Sequence, residues 1–171
     1  MRKGLCPDWC FCQYSDLTAA FLLENGIRYL ILDIDNTLAP YEQATPDEGI
    51  LNWFASLREA GISYAFVSNN GPARVKRFNE QIGAPAVHYA MKPFRGGVRR
   101  AMKLMGATSA ETLMMGDQVY TDVWAGRAAG ARTALVPPIR DKRDLLTRFK
   151  RLLERPVLRR YQRKREQEEN A

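Results

Sequence analysis

The sequence is poor in cysteine and histidine and lacks a long apolar run. Its 171 residues include one histidine and three cysteines, Cys6, Cys10 and Cys12. An odd, clustered set of cysteines argues against a disulfide framework, and three thiolates without a nearby histidine disfavour a zinc site. No stretch approaches the roughly 18 to 20 apolar residues that a spanning helix needs, and no secretory signal precedes Cys6. We therefore expect a cytoplasmic protein.

Several catalytic signatures are missing as well. The chain has no G-x-S-x-G sequence, no GxxxxGK[ST] phosphate loop, no dinucleotide glycine fingerprint and no C-x-x-C pair. These absences disfavour acyl transfer from a nucleophile elbow, a P-loop NTPase, and dinucleotide-dependent or dithiol redox chemistry.

The composition is that of an ordinary globular protein, with 46% apolar and 26% charged residues. The net charge of +7 is concentrated at the end of the chain, because residues 140–171 contain twelve basic and six acidic residues. The rest of the chain, with fourteen basic and thirteen acidic residues, is nearly neutral. Such a segment suits an anionic partner such as a membrane surface, a nucleic acid or an acidic protein. A solvated surface helix is the alternative.

Short apolar strand patterns alternate with helical patterns along the body of the chain. This alternation predicts an α/β, Rossmann-like fold with a mainly parallel sheet and helices on both faces. We expect one domain with a core at about 27–138, an aromatic lead at 1–26 and a basic amphipathic segment at 140–171. Strands are predicted near 28–34, 62–67, 86–89, 111–115 and 132–136, and helices near 46–60, 72–82, 94–105 and 119–129.

Polar residues gather at the predicted carboxyl ends of these strands, where parallel sheets bind ligands. Clustered carboxylates need a compensating cation, and oxygen ligands suit Mg²⁺. A lysine, a serine turn and a helix beginning at Pro72 would attract an anion. Together they point to phosphoryl transfer through an aspartyl-phosphate, with a carboxylate as the nucleophile. The residues are Asp33, Asp35 and Thr37, then Ser68 and Asn69, then Lys92, and finally Asp117 and Asp122.

These residues lie in motifs that resemble a known superfamily. Residues 33–37 read DIDNT and match the DxDxT motif of haloacid dehalogenase-like (HAD) phosphatases. Ser68, Lys92 and the sequence GDQVYTD at 116–122 match its second, third and fourth motifs in the same order. More narrowly, LDIDNTLAP, FVSNN, the Lys92-Pro93 pair and GDQVYTDV resemble the YqeG-type branch of subclass IIIA.

The resemblance implies the catalytic roles. Asp33 would be the nucleophile that takes the phosphoryl group. Asp35 would protonate the leaving oxygen and then activate the hydrolytic water, and Thr37 would orient Asp35.

It also implies the binding roles. Ser68, Asn69 and Lys92 would hold the phosphoryl oxygens. Mg²⁺ would be held by Asp33, by the backbone carbonyl of Asp35 and by Asp117, with Asp122 supporting the ligands from outside.

The motif spacing indicates a capless enzyme. Asp35 and Ser68 are 33 residues apart, and Ser68 and Lys92 are 24 apart. Each interval is filled by one predicted helix and strand, so neither has room for the cap domain that covers the site in many members of the superfamily. An open site favours a phosphate carried by a lipid or a macromolecule, or one covered by a partner subunit.

The leading hypothesis is a Mg²⁺-dependent phosphomonoester hydrolase that forms an aspartyl-phosphate. Relatives of the YqeG-type group are phosphatidylglycerophosphate phosphatases, which implies a role in phosphatidylglycerol synthesis and peripheral contact with the inner face of a membrane. The stripe of Leu145, Leu146, Phe149, Leu152 and Leu153 suits a bilayer surface, or it packs on the sheet instead. The aromatic lead likewise fits either a membrane interface or a helix packed on the core.

Two alternatives stay open. One is a soluble phosphatase acting on a sugar phosphate or a nucleotide, with an oligomer covering the site. The other, from a different class, is a nucleic-acid-binding or assembly protein with a vestigial phosphatase site, which the complete set of acidic residues and Lys92 disfavours.

Overall fold

The computed structural model describes residues 5–140 and positions 156, 157, 159, 161 and 163. Six strands form one sheet in which every neighbouring pair is parallel. They are β1 (Trp9–Cys10), β2 (Tyr29–Leu32), β3 (Ser63–Val67), β4 (Ala86–Val87), β5 (Thr112–Gly116) and β6 (Arg132–Leu135). Their order across the sheet is β1-β6-β5-β2-β3-β4. The predicted parallel α/β fold is confirmed.

In the described chain, five α-helices connect the strands: α1 (Ala19–Glu24), α2 (Glu48–Glu59), α3 (Pro72–Asn79), α4 (Gly96–Met105) and α5 (Trp124–Ala129). A π-helical turn at Val119–Val123 leads into α5, and short 3-10 helices lie at Tyr14–Asp16 and Ser109–Glu111. Capping determines several of their ends. The side chain of Asp47 accepts a hydrogen bond from the Ile50 amide (2.9 Å), satisfying a donor that the first turn of α2 leaves open. Helix α4 ends at Gly106, whose φ of 66° lies in the left-handed region that glycine adopts without strain.

The sheet is covered on both faces because alternate residues of each buried strand point to opposite sides. Leu30 and Leu32 of β2 pack into a cluster with α2 and α3, which contribute Phe54 and Phe78. Ile31, between the two leucines, packs instead with residues of α4 and α5. These continuous apolar strands hold the central β2 and β5 rigidly between two layers of helices.

The aromatic lead differs in part from its prediction. Its helix is present as α1, with Leu22 buried against the core, but Trp9–Cys10 form the edge strand β1 beside β6. Two residues are too few to show an alternating pattern, so local sequence could not indicate this strand. The pairing depends on a distant partner, because Asp8 accepts a hydrogen bond from the Thr133 amide at 2.8 Å.

Most of the basic segment at 140–171, including the leucine stripe at 145–153, lies outside the described residues. Two described positions do contact the body. Val157 packs against Val119, Val123 and Leu135, and the Tyr161 hydroxyl accepts a hydrogen bond from the Cys10 amide at 3.1 Å. Within the described part of the chain, no helix has the length and apolar character required to cross a bilayer.

Candidate active site

The candidate site lies at the carboxyl edge of the four strands β2 to β5. Asp33 directly follows β2, and its amide donates to the Met115 carbonyl of β5 at 3.0 Å, so the sheet ladder continues into the site. Ser68 directly follows β3, Lys92 lies in the loop after β4, and Asp117 directly follows β5. Side chains that are far apart in sequence meet here because parallel strands end on one side of the sheet.

Three aspartates form the acidic cluster, which consists of Asp33, Asp117 and Asp122. One carboxylate oxygen from each lies within 4.8 Å of the others, and all three residues are buried. The Lys92 ammonium lies between two of them, 2.6 Å from Asp33 Oδ1 and 2.7 Å from Asp122 Oδ1. Gly116 makes room for this approach, because a Cβ atom there would overlap the Asp122 carboxyl group.

Burial of this cluster perturbs two pKa values. Loss of water raises the pKa of the Asp33 carboxyl group from 3.8 to about 7; the Lys92 ammonium opposes the rise, and the carboxylates of Asp122 and Asp35 add to it. Burial alone would lower the pKa of Lys92, but the carboxylates of Asp122 and Asp33 outweigh it and raise that pKa above its usual value. Lys92 is therefore a permanent cation here. For Asp33, the Lys92 charge does not fully offset the cost of burying the ionised carboxylate.

The cluster has the composition of a divalent cation site. One ammonium stands among three buried carboxylates, and hard oxygen ligands of this kind fit Mg²⁺. Asp33 and Asp117 would be its side-chain ligands. Both oxygens of Asp122 are already engaged, one by Lys92 and the other by the Gln118 amide at 3.1 Å. This engagement fits the supporting position predicted for Asp122.

The Asp35 carboxylate is bound by Arg74 of α3 and by Asn70, which precedes that helix. Its Oδ1 atom accepts from Arg74 Nε at 3.0 Å and lies 2.9 Å from Arg74 Nη2. Its Oδ2 atom accepts from Asn70 Nδ2 at 2.5 Å. Arg74 also donates to the Ala44 carbonyl at 3.1 Å, so the guanidinium joins α3 to the loop after β2. The general acid and base that the resemblance implies is thus held by two residues.

The sequence analysis did not identify Arg74, and it did not predict that the Asn70 side chain would bind Asp35. A signal for Arg74 was available, because a cation in the first turn of a helix opposes the helix dipole and calls for a specific partner. Asn70 adjoins the predicted Ser68 and Asn69 but gave no sign of which carboxylate it would meet.

Thr37 is buried, and its hydroxyl group donates to Asp33 Oδ2 at 3.5 Å. The resemblance implies that Thr37 orients Asp35, and this role stays a prediction; the hydroxyl contact in the structure is with Asp33. The reason is the tight turn after β2, in which the amides of Thr37, Leu38 and Ala39 all donate to the Ile34 carbonyl. This turn folds residue 37 back over Asp33.

The turn after β3 is tied to the loop that carries Lys92. Ser68 Oγ accepts from the Asn70 amide at 3.0 Å. The Asn69 side chain accepts from the Lys92 amide at 2.7 Å and donates to the Lys92 carbonyl at 3.1 Å. Helix α3 then begins at Pro72, with its N-terminus at this turn. Asn69 thus links two loops, and its direct contact with phosphate stays a prediction.

Comparisons with known proteins agree with this geometry. A family model described as HAD-hydrolase-like matches residues 89–151. The Bacillus subtilis (strain 168) protein "Probable phosphatase YqeG" is 34% identical over 158 residues, which cover 92% of each chain. "Phosphatidylglycerophosphate phosphatase 1, chloroplastic/mitochondrial" of Arabidopsis thaliana is 29% identical over 161 residues. That alignment covers 84% of this chain and 44% of the longer plant protein.

Solved structures share the fold. The cobalt-bound deoxy-D-mannose-octulosonate 8-phosphate phosphatase YrbI of Haemophilus influenzae superposes with a TM-score of 0.54 at 19% identity, covering 66% of this chain and 69% of that one. CbbY of Rhodobacter sphaeroides in complex with phosphate gives a TM-score of 0.55 at 14% identity, covering 66% and 87%. At these identities, the likeness establishes the fold alone.

Proposed function

Because the chain belongs to the haloacid dehalogenase-like superfamily, among its YqeG-type phosphatases, we propose that it hydrolyses a lipid phosphomonoester through a phosphoryl group on Asp33. The proposed substrate is phosphatidylglycerophosphate, and the proposed cofactor is Mg²⁺. One observation carries the chemistry: a buried nucleophile, Asp33, stands in a cluster with two further carboxylates and one lysine. Three carboxylates outnumber the one lysine, and Mg²⁺ would balance the remaining negative charge.

In the first step, an oxygen of Asp33 attacks phosphorus and the bond from phosphorus to the ester oxygen breaks. Asp35 in its protonated form gives its proton to that leaving oxygen, so that a neutral alcohol departs. Arg74 and Asn70 hold the Asp35 side chain beside the strand end that carries Asp33. The phosphoryl group is then bonded to Asp33.

In the second step, water attacks the phosphorus atom of phosphoryl-Asp33. Asp35, now a carboxylate, takes a proton from this water, and the bond between Asp33 and phosphorus breaks. Inorganic phosphate leaves, and the Asp33 carboxylate is regenerated for the next turnover.

The phosphoryl oxygens are bound by groups that favour an anion. Lys92 supplies a fixed positive charge 2.6 Å from Asp33, and the Ser68 turn with the start of α3 supplies hydroxyl and amide donors. Mg²⁺ held by Asp33, Asp117 and the Asp35 backbone carbonyl would neutralise charge that develops on these oxygens. Asp122 keeps Lys92 in place.

The lipid substrate is supported by a relative and by the access to the site. The plant relative is named as a phosphatidylglycerophosphate phosphatase. In addition, the described chain has a single helix between β2 and β3 and a single helix between β3 and β4, and both pack on the sheet. With no inserted domain there, the site can receive a phosphate that projects from a lipid surface. Peripheral contact with a membrane is part of the proposal.

The experiment is phosphate release from phosphatidylglycerophosphate in mixed micelles, with Mg²⁺ or with EDTA. We expect Mg²⁺-dependent release that exceeds release from glucose 6-phosphate and from nucleotides by at least about a hundredfold in kcat/KM. Greater turnover of a small soluble ester would favour the soluble phosphatase instead. No release from any ester would refute the proposed reaction and favour the alternative of a binding or assembly protein with a vestigial phosphatase site.

A further inference from the structure

Exposed apolar side chains are concentrated at the carboxyl edge of the sheet. Among the described residues, eight large apolar side chains are exposed, and five of them lie in loops that follow strand ends. We call these five the apolar rim: Tyr41, Tyr89, Met91, Phe94 and Ile139. Met91 and Phe94 are each 68% exposed. Exposed apolar groups at one place are a mark of an interaction surface.

The loop after β4 is held rigidly in this exposed position. The amide of Tyr89 donates to the Asn70 carbonyl at 3.0 Å, and that of Ala90 donates to the Ser68 carbonyl at 3.0 Å. Tyr89 and Met91 have φ values of 46° and 55°, a left-handed conformation that residues other than glycine seldom adopt. Such strain persists where surrounding contacts enforce it, and it marks functional segments. These hydrogen bonds thus fix the loop and its exposed apolar side chains beside the turn after β3.

The loops after β2 and β6 also contribute to the rim, beside the end of β2 that carries Asp33. The Ile139 amide donates to the Asn36 carbonyl at 3.0 Å, so this residue is fixed next to Asp35. Tyr41 lies in the loop after β2, which also contains Asp35 and Asn36. The rim thus includes residues from loops on both sides of the Asp33 strand end.

Exposed cations accompany the rim. Arg95 directly follows Phe94, and Arg99 and Arg100 are exposed on the next turn of α4. Arg140 directly follows Ile139 and is exposed, 3.8 Å from the equally exposed Glu42. Apolar and aromatic groups flanked by arginines match an anionic lipid surface, where chains enter the interface and cations meet headgroups.

We propose that the apolar rim docks on an anionic lipid bilayer, with Met91 and Phe94 inserted at headgroup depth. This inference rests on the proposed lipid substrate, because a lipid phosphate reaches Asp33 only if the carboxyl edge faces the membrane. A second copy of the chain is a poorer occupant, since a symmetric contact through this rim would bring the same arginines together.

The test uses the full chain and a double variant, Met91→Asn with Phe94→Gln. Asparagine accepts the left-handed backbone at position 91, so the variant removes apolar surface without adding strain. Leu23→Gln with Leu104→Gln is the matched control, because these two side chains are also exposed (43% and 57%) but lie near the helix ends that lead to the opposite edge. Circular dichroism and thermal unfolding verify that both variants fold.

Binding is measured by co-sedimentation with vesicles of phosphatidylcholine and phosphatidylglycerol, and with vesicles of phosphatidylcholine alone. Turnover is measured on phosphatidylglycerophosphate in the same vesicles, on its monomeric short-chain form, and on para-nitrophenyl phosphate. We expect the rim variant to bind anionic vesicles at least tenfold more weakly than the parent. Its ratio of vesicle turnover to para-nitrophenyl phosphate turnover should also fall at least tenfold, whereas the control keeps both values.

The outcomes separate this inference from the proposed function. If the parent hydrolyses the short-chain lipid but the rim variant binds vesicles like the parent, the docking surface is wrong and the function stands. If the parent binds anionic vesicles through the rim but hydrolyses neither lipid form, the function is wrong and the docking stands. Loss of a dimer in the rim variant, without loss of vesicle binding, would assign the rim to a second copy and overturn the proposal.

Discussion

Two aspartate sites on the same sheet show what distinguishes a structural carboxylate from a catalytic one. Asp8 is paired with Arg127 at 3.3 Å and accepts from both the amide and the hydroxyl of Thr133, at 2.8 and 3.1 Å. That site is a neutral pair in which both carboxylate oxygens have partners. In the acidic cluster, three carboxylates lie close together, more deeply buried than Asp8, and the Lys92 ammonium pairs with those of Asp33 and Asp122.

This difference indicates that a buried cluster with an excess of one charge is a binding site for a ligand of the opposite charge. Asp8 and Arg127 balance each other's charge, and their effect is to attach the N-terminal segment to β6. In the proposed function, the acidic cluster instead takes a cation and a phosphoryl group, which would offset the repulsion among its carboxylates.

The largest expected effect contrasts Asp33→Asn with Asp8→Asn. Removal of the nucleophile should lower turnover by at least about a thousandfold, since the amide cannot accept the phosphoryl group. Asp8→Asn should leave turnover within about twofold. Thermal unfolding of the metal-free proteins at pH 8 should show the opposite ranking. Asp33→Asn raises Tm because it relieves repulsion, and Asp8→Asn lowers stability by about 1–3 kcal/mol because it weakens the ion pair with Arg127. Equal loss of stability in both variants would contradict the comparison.

The second-largest effect is stabilisation of the fold by Mg²⁺ at the acidic cluster, which should depend on pH. Because burial raises the pKa of Asp33 from 3.8 to about 7, the folded metal-free protein holds this proton more tightly than the unfolded chain. Its contribution to stability therefore decreases as the pH rises from about 4 to about 7. Mg²⁺ replaces the proton, so the rise in Tm on adding Mg²⁺ should be larger at pH 8 than at pH 5. Removal of Mg²⁺ by EDTA should lower turnover by about a hundredfold.

Two variants identify where Mg²⁺ acts. Asp117→Asn should lose the Mg²⁺-dependent rise in Tm, whereas Asp8→Asn should keep it. A rise of the same size at pH 5 and pH 8 would show that the ion does not compete with the Asp33 proton.

The smallest effect concerns Arg74, which pairs with Asp35. Arg74→Ala should lower kcat about tenfold for an alkyl phosphate with little change in KM, because a badly placed acid protonates a poor leaving group slowly. The loss should be smaller for para-nitrophenyl phosphate, whose leaving group needs little protonation. Arg74→Lys should recover part of the activity, since it keeps the charge but not the two-nitrogen contact. Arg77→Ala, which changes an exposed residue of the same helix, is the control. If Arg74→Ala lowered kcat equally for both esters, Arg74 would have only a structural role.

Much of the fold could be predicted because its strands are apolar runs and its helices carry local stop signals. Gly106 and Gly130 end α4 and α5 with left-handed backbone, as their positions after apolar helical patterns suggest. Strand β1 could not be predicted, because Trp9–Cys10 are extended only through their pairing with β6. The contact between Tyr161 and Cys10 spans 151 residues and is beyond any local pattern.

Part of the candidate site could likewise be predicted from the sequence, and part could not. Asp33, Lys92 and Asp117 follow three different strands, and the parallel order alone requires their side chains to approach. The partner of Thr37 could not be derived, because it depends on how the turn after β2 closes on Ile34. Nor could the pairing of Asp35 with Arg74, which depends on the placement of α3 against that turn.

The sequence by itself determined the α/β class, the order of the four motifs and the residue types gathered at the strand ends. These depend on the periodicity of apolar residues and on positions along the chain, which are local properties. Only the tertiary structure decided which oxygen faces which cation, and which apolar side chains stay exposed around Asp33. Such contacts lie between segments that are tens of residues apart, where ångström differences in backbone placement determine charge, pKa and access.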